Sequence, residues 1–368
     1  MKENNTQRSK TLFVTSEMRR RIVGGALKPG DQLPTFDEMV DEFGVSRAVL
    51  QRATRLLRQD GFVRSVDRQG LFVSDTPPHL CRFALLFPNA PGDAEWSRMN
   101  AVLLSEAQRL ERSRADRQFA VYSGLRDVSR GQEVLAGLRD DVEHERLAGI
   151  IAMPGTLDLL GDPPFSLPSL PKMHVCAYEP LGLNMTISVD SHGFYARAVE
   201  RLVEKGRRRV GIVHMADTVS DLNHSELFAR VGLQLRRPWI QWVGRSHPEF
   251  AARIVELLLD YPPGQRPDGL VVGDDNLAEH VAAGIAGAGL RVGEDLDVVA
   301  HCNWPWPLPP ALPFERIGFS ITALLERSVD NILQARAGST PPALQTVPAQ
   351  FEWEVPPAQP QLHSEGVS

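Results

Sequence analysis

The chain has 368 residues, 42% hydrophobic and 23% charged, with a net charge of −6; that is ample for two or three cores and excludes a wholly disordered or collagen-like chain. Three widely spaced cysteines, Cys81, Cys176 and Cys302, exclude a disulfide framework and a CxxC zinc site, and fit a reducing compartment. No run reaches the ~18 apolar residues of a membrane span and the N-terminal stretch has no secretory apolar region, so a cytoplasmic protein away from the membrane is expected.

The charge is unevenly placed. Residues 1–76 carry 13 Lys and Arg against 10 Asp and Glu, whereas the remainder carries 27 against 36. A small basic module facing a polyanion and a larger acidic body are therefore expected. Within the module, Met18, Ile22 and Val23 lie at helical spacing and Gly24-Gly25 ends that helix. Thr35-Phe36-Asp37-Glu38 reads as a capping box opening a short helix, and Gly44 supplies a tight turn. Ser46 is placed to cap a third helix whose Val49, Leu50, Ala53, Leu56 and Leu57 face inward. Arg47, Gln51, Arg52, Arg55 and Arg58 are left for its outer faces. Two strands, 62–65 and 71–74, flank a turn at 67–70. Helix, helix-turn-helix, hairpin is an arrangement that can put one helix in the major groove and carry Arg64 and Arg68 to phosphates or the minor groove.

These residues resemble the GntR-type winged helix-turn-helix over about residues 11–76. The turn Lys28-Pro29-Gly30-Asp31, the helix start Gly44-Val45-Ser46-Arg47 and the hairpin end all follow its pattern. The resemblance implies that Arg47, beside Ser46, contacts phosphate or base, and that Thr35 contacts phosphate. Two departures stand out: Gln51 replaces the usual arginine, suiting an adenine edge rather than a guanine, and Arg68 replaces the hairpin's first glycine. Arg52 completes the expected DNA-binding set.

Residues 77–81 read as a proline-rich linker. Beyond them, apolar runs at 83–87, 119–122, 149–153 and 175–178, and again at 210–214, 240–243, 269–272 and 297–301, alternate with helical stretches. An α/β body of two doubly wound parallel sheets is predicted over 82–355, with ligand chemistry at strand C-termini. Residues 356–368 are expected to be disordered.

The body is similar to the LacI/GalR effector domain, itself like periplasmic binding proteins; a GntR-type reader on such a body also resembles arabinose-responsive repressors. The resemblance implies three chain crossings, near 185, 318 and 338. The first lobe would then hold about 82–185 and 318–337, and the second about 186–317 and 338–355. It implies that Asp274 and Asp275 contact ligand hydroxyls, which carboxylates accept well. It also shows customary ligands replaced, with His224 for an arginine and Cys302, followed by Asn303, for an aspartate. Trp96, and Trp304 or Trp306, are candidates to stack on a sugar ring. His174, His192, His214, His280 and His301 lack metal-ligand spacing and read as ordinary. No phosphate loop, nucleophile elbow or HExxH motif is present, so no cofactor or metal is expected.

The expected function is a DNA-binding regulator, a repressor, acting as a homodimer on an operator and controlled by a small molecule, a sugar, held between the lobes. Two alternatives remain: a body that has lost its ligand and only dimerises, and a hydrolase-like enzyme using Asp274 and Asp275 as an acid/base pair.

Overall fold

The structure, a computed structural model, describes residues 2–176, 185–216 and 222–356. The chain divides into two compact units. One comprises Met1–Ala90, Ala107–Val175 and Ser328–Pro342; the other comprises Pro91–Glu106, Cys176–Arg327 and Ala343–Ser368.

The N-terminal domain is α1 (Lys2–Val23), α2 (Phe36–Phe43), α3 (Arg47–Gln59), β1 (Val63–Val66) and β2 (Gly70–Val73). α1 starts well before the periodic residues at 18–23. The capping box forms as expected: the Thr35 hydroxyl accepts from the Glu38 N–H at 3.3 Å, and the Glu38 carboxylate accepts from the Thr35 N–H at 2.7 Å. Gly44 ends α2 in the left-handed conformation at φ +59°, which costs glycine little. The Ser46 hydroxyl caps α3 by accepting from the Val49 N–H. Met18, Met39, Leu50, Leu57 and Phe62 close the core of this domain. Truncating Leu57 to alanine there is expected to cost about 2–5 kcal/mol through lost transfer energy and a cavity.

The segment read as a linker is instead a packed helical turn, α4 (Pro78–Cys81). Pro78 stands in its first turn, where a missing N–H is harmless and φ is already helical. Pro78, His79 and Cys81 are buried, so this joint is a contact rather than a spacer.

The body then runs β3 (Arg82–Leu86), α5 (Arg98–Ser113), β4 (Gln118–Tyr122), α6 (Gly131–Glu143), β5 (Gly149–Ala152), β6 (Lys172–Cys176) and β7 (Thr186–Val189). A second series follows: α7 (Ser191–Glu204), β8 (Val210–Met215), α8 (His224–Arg230), β9 (Ile240–Val243), α9 (Phe250–Leu259), β10 (Gly269–Val272), α10 (Ala278–Gly287), β11 (Asp297–Trp304) and β12 (Glu315–Ser320). The chain closes with α11 (Ile321–Arg336), β13 (Leu344–Val347) and β14 (Ala349–Phe351). Two six-stranded sheets result, ordered β13-β7-β6-β5-β3-β4 and β14-β12-β11-β10-β8-β9. The α/β class and doubly wound sheets are as read from the apolar runs.

The crossing points differ from the expected 185, 318 and 338. β13 pairs with β7 in parallel, and both belong to the first sheet. The chain therefore leaves that sheet after Val189, leaves the second after Ser320, and passes from Val347 to Ala349 for the last crossing. Hydrogen-bond partnership decides which sheet a strand joins, and that is invisible in an apolar run. Of the expected tail 356–368, all but Pro356 lies outside the described residues.

In the second sheet one face packs on α9 and α10, where Val255, Val281, Leu270, Val298 and Ala300 are buried together. Gly284 lets α10 approach α9 closely: a Cβ there would lie 2.3 Å from the Ala252 carbonyl oxygen.

Candidate functional site

Every residue expected to touch DNA is on the surface of the N-terminal domain: Thr35, Ser46, Arg47, Gln51, Arg52, Arg64 and Arg68 are all exposed. The N-terminal turn of α3 presents Arg47 and Gln51 from a helix end whose amides carry partial positive charge. Arg47 lies 3.5 Å from Asp37, both highly exposed, a pair too solvated to hold it from phosphate. Arg52 donates to the Gln7 side chain at 2.9 Å, which orders it across α1 and α3. Arg64 is paired with Asp75 and lies over the Phe72 ring. Arg68 stands at φ +62°, the left-handed region that favours glycine. The hairpin tip thus keeps a cation at a cost in backbone energy. The Thr35 hydroxyl is engaged with Glu38, so its first role is the cap.

A second cluster forms at the C-terminal ends of β8, β10 and β11, where alternation along each strand sorts the side chains. On β11, Val298, Ala300, Cys302 and Trp304 enter the core facing α9 and α10. His301 and Asn303 necessarily point the other way, toward α7. This overturns two expected ligand contacts. Cys302 is fully buried in that core, and burial pushes its thiol far above the ordinary range, so it is a packing residue. Trp304 is packed in the same core and donates its indole N–H to the Gln350 carbonyl at 3.1 Å, so it does not stack on a ligand.

Asn303 does reach the site, donating to Asp275 at 2.8 Å. Asp275 is buried, with Arg98 Nε at 3.5 Å and His301 Nδ1 at 3.9 Å. Desolvation, then the charge of Asp274, raise its pKa to about 7, against the pull of Asn303 and Arg98. Burial lowers His301 to about 4, and its Nδ1 has no hydrogen-bond partner. Asp274 instead accepts from the Asn276 N–H at 2.9 Å and from its amide, an Asx turn that shapes the loop ahead of α10. Asn276 in turn accepts from the Arg98 backbone N–H at 3.1 Å. Trp96, two residues earlier, is half-buried ahead of α5; Arg98 rather than Trp96 is the residue brought to Asp275.

His224 is locked to another histidine. Its Nε2 lies 2.8 Å from His214 Nε2, while His214 Nδ1 lies 2.8 Å from the Tyr195 hydroxyl. Trp242 stacks on the His214 ring at 5.1 Å. Burial, then His224, push His214 down to about 3, so the pair is neutral and shares one proton between the facing nitrogens. Tyr195 approaches over Gly273, where a Cβ would lie 2.1 Å from its hydroxyl oxygen. His214 and His301, read as ordinary, therefore stand within the candidate cluster. The available signal was strand parity: both stand at strand ends on the face opposite the α9 and α10 core.

Residues 10–73 match the bacterial regulatory proteins, gntR family, and residues 199–343 match the periplasmic binding protein-like domain. The chain joins a gntR-type reader to a periplasmic-binding-protein-like body. It is similar to the arabinose metabolism transcriptional repressor of Geobacillus stearothermophilus, 22% identical over 351 residues, covering 88% of this chain and 90% of that one. Against the mannosyl-D-glycerate transport/metabolism system repressor MngR of Escherichia coli the identity is 37% over 62 residues, 17% of this chain and 26% of MngR. The chain thus matches about a quarter of MngR's length. Among solved structures, a LacI-family regulatory protein from Chloroflexus aggregans superposes with TM-score 0.60 at 15% identity over 73% of this chain and 96% of that one. The Escherichia coli repressor ascG gives 0.58 at 16%, over 74% and 97%. Both show the same fold.

Proposed function

We propose that the protein is a transcriptional repressor that grips double-stranded DNA through the α3 end opening at Ser46, and whose hold is controlled by a neutral polyhydroxyl effector at the Asp275 cluster. The observation that carries the DNA reading is a capped, solvent-facing helix start with Arg47, Gln51 and Arg52 exposed together on a winged helix whose inner face, Val49, Leu50, Ala53 and Leu57, is buried in the domain core. Two such readers on a homodimer would meet the two halves of a palindromic operator. A DNA partner also puts the protein in the cytoplasm, and no helix among the described residues is long and apolar enough to cross a membrane.

The effector reading rests on Asp275, Asn303, Asn276 and Arg98, which mix donors and acceptors around a carboxyl group close to neutrality. The names of the Geobacillus and Escherichia coli relatives support a sugar or sugar derivative. Asp274 and Asp275 serve binding and loop geometry in this account rather than acid/base chemistry, since Asp274 is committed to its turn.

Fluorescence anisotropy with DNA from the gene's own upstream region is expected to give tight, salt-sensitive binding that weakens with the correct sugar. Equal affinity for this DNA and for random duplex would overturn the repressor reading. A second reading has its own support: His224 is tied to His214, while Cys302 and Trp304 are lost to the core, leaving a body that serves only to dimerise. A thermal-shift screen of neutral sugars separates the two, because a ligand of the native state raises the melting temperature.

A further inference from the structure

We propose that the DNA reader is riveted to the first-sheet part of the body through Asp60, so that the two act as one rigid piece and not as a domain on a tether. This goes beyond the effector reading and stands whether or not an effector binds. Asp60 ends α3 and receives two arginines on its two oxygens. Arg19 of α1 donates to Oδ2 at 2.7 Å, and Arg146, from the loop after α6, pairs with Oδ1 at 3.1 Å. Both arginine side chains are largely buried, 5% exposed for Arg19 and 17% for Arg146. Such a pair resists solvent screening in a way that the exposed ones do not.

Arg146 is itself anchored in the body. Its Nε donates to Asp141 at 2.6 Å and it pairs with Asp140, while Asp141 also receives Arg82 of β3 at 3.0 Å and the Tyr122 hydroxyl. A second layer lies beside the first. The Arg19 guanidinium sits 5.3 Å from the Phe62 ring centre, and Phe62 stacks at 5.8 Å and 12° on His79 of α4. The chain of contacts is therefore Arg19, Asp60, Arg146 and Asp141 on one side, and Arg19, Phe62 and His79 on the other. Both run from the reader's core into the body.

The rivet leaves the DNA face free. Asp60 follows the last residue of α3 and Ser46 precedes the first; thirteen residues at 1.5 Å each hold them about 20 Å apart. Fixing one end of the recognition helix to the body fixes the direction in which the other end points. Any movement of the body is then delivered to the α3 start without being absorbed by a flexible joint.

The experiment uses the full chain. All three native cysteines are buried, so spin labels on Arg55→Cys in the reader and Glu133→Cys in the body, in labelled chain diluted into excess unlabelled chain, report one intrachain distance distribution by double electron–electron resonance. A single narrow distribution is expected in the parent, and a broad one after Arg146→Gln, which removes the body's half of the rivet and keeps the reader's own Arg19–Asp60 pair. Arg146→Lys, which keeps the charge, should recover part of the narrowing. Circular dichroism and DNA binding show that the variant is folded. A broad distribution in the parent overturns the proposal, and so does an unchanged narrow one in Arg146→Gln. Neither result touches the question of which DNA or sugar is bound.

Discussion

The α3 surface and the strand-end cluster make opposite use of polar residues. On the reader, Arg47, Gln51 and Arg52 are exposed and weakly paired, so almost nothing in the fold depends on them. At the ends of β8, β10 and β11, Asp275, Asn303 and His214 are buried, with Asn303 bonded to Asp275 and His214 held by His224 and Tyr195. A polyanion brings its own charge to a surface and needs donors that are free. A small neutral ligand must be met by groups already oriented, which folding has to desolvate. Function and stability are therefore separable at the first site and entangled at the second.

The largest effect is expected from Arg47→Ala with Arg52→Ala. Each arginine in contact with base or phosphate is expected to carry about 1–3 kcal/mol of binding, so operator retardation should fall by well over tenfold while the melting temperature stays put. Undiminished retardation would remove α3 from the interface. Next comes Gly273→Ala, whose Cβ meets the Tyr195 hydroxyl at 2.1 Å. Overpacking of this kind costs about 1–3 kcal/mol, to be read by denaturant unfolding, with DNA affinity of the folded fraction intact. An unperturbed midpoint would show that Tyr195 is free to move.

Asp275→Asn sharpens the contrast through pH. The native pKa of about 7 lies above the ordinary 3.8, so the folded state binds the proton more tightly, and this group lowers stability as pH rises from about 4 to about 7. The asparagine variant lacks that term. Its stability relative to the parent should climb across this window and level off above it; a constant difference at every pH would mean that Asp275 titrates normally. The histidines act in the reverse direction. His214 at about 3 and His79 at about 4 are held neutral by burial, so their contribution is present above about 6.5 and is lost as pH falls toward those values. The smallest effect belongs to Arg68→Gly. Releasing a left-handed non-glycine residue is worth about 1–2 kcal/mol of stability, and the same change should weaken DNA binding if the hairpin tip touches the duplex. A gain in stability with no loss of affinity would mark Arg68 as a bystander.

The reader was legible because its signals are local. The Thr35–Glu38 box, the Ser46 cap and the Gly44 turn each span only a few residues, and the same local chemistry operates in the folded chain. The strand-end cluster was half legible. Asp275, Asn303 and His224 are expected at the ligand and do lie in the strand-end cluster, whereas alternation along β11 sends Cys302 and Trp304, expected there too, into the core. Arg98 was missed because nothing near it in sequence marks it as a partner of Asp275. The proline-rich segment was misread for a related reason: whether Pro77-Pro78 extends or starts a helix depends on what it packs against.

The order of amino acids by itself determined the capped helices of the reader and the alternation of strands and helices in the body, since capping, turn geometry and apolar periodicity act over a few residues. Only the tertiary structure decided which sheet β7 and β13 join, which face of β11 meets the core, and which charges are brought to Asp275 and Asp60. Those outcomes depend on partners tens to hundreds of residues away, and on burial, which is the largest cause that shifts Asp275, His214 and His301 from their ordinary ranges.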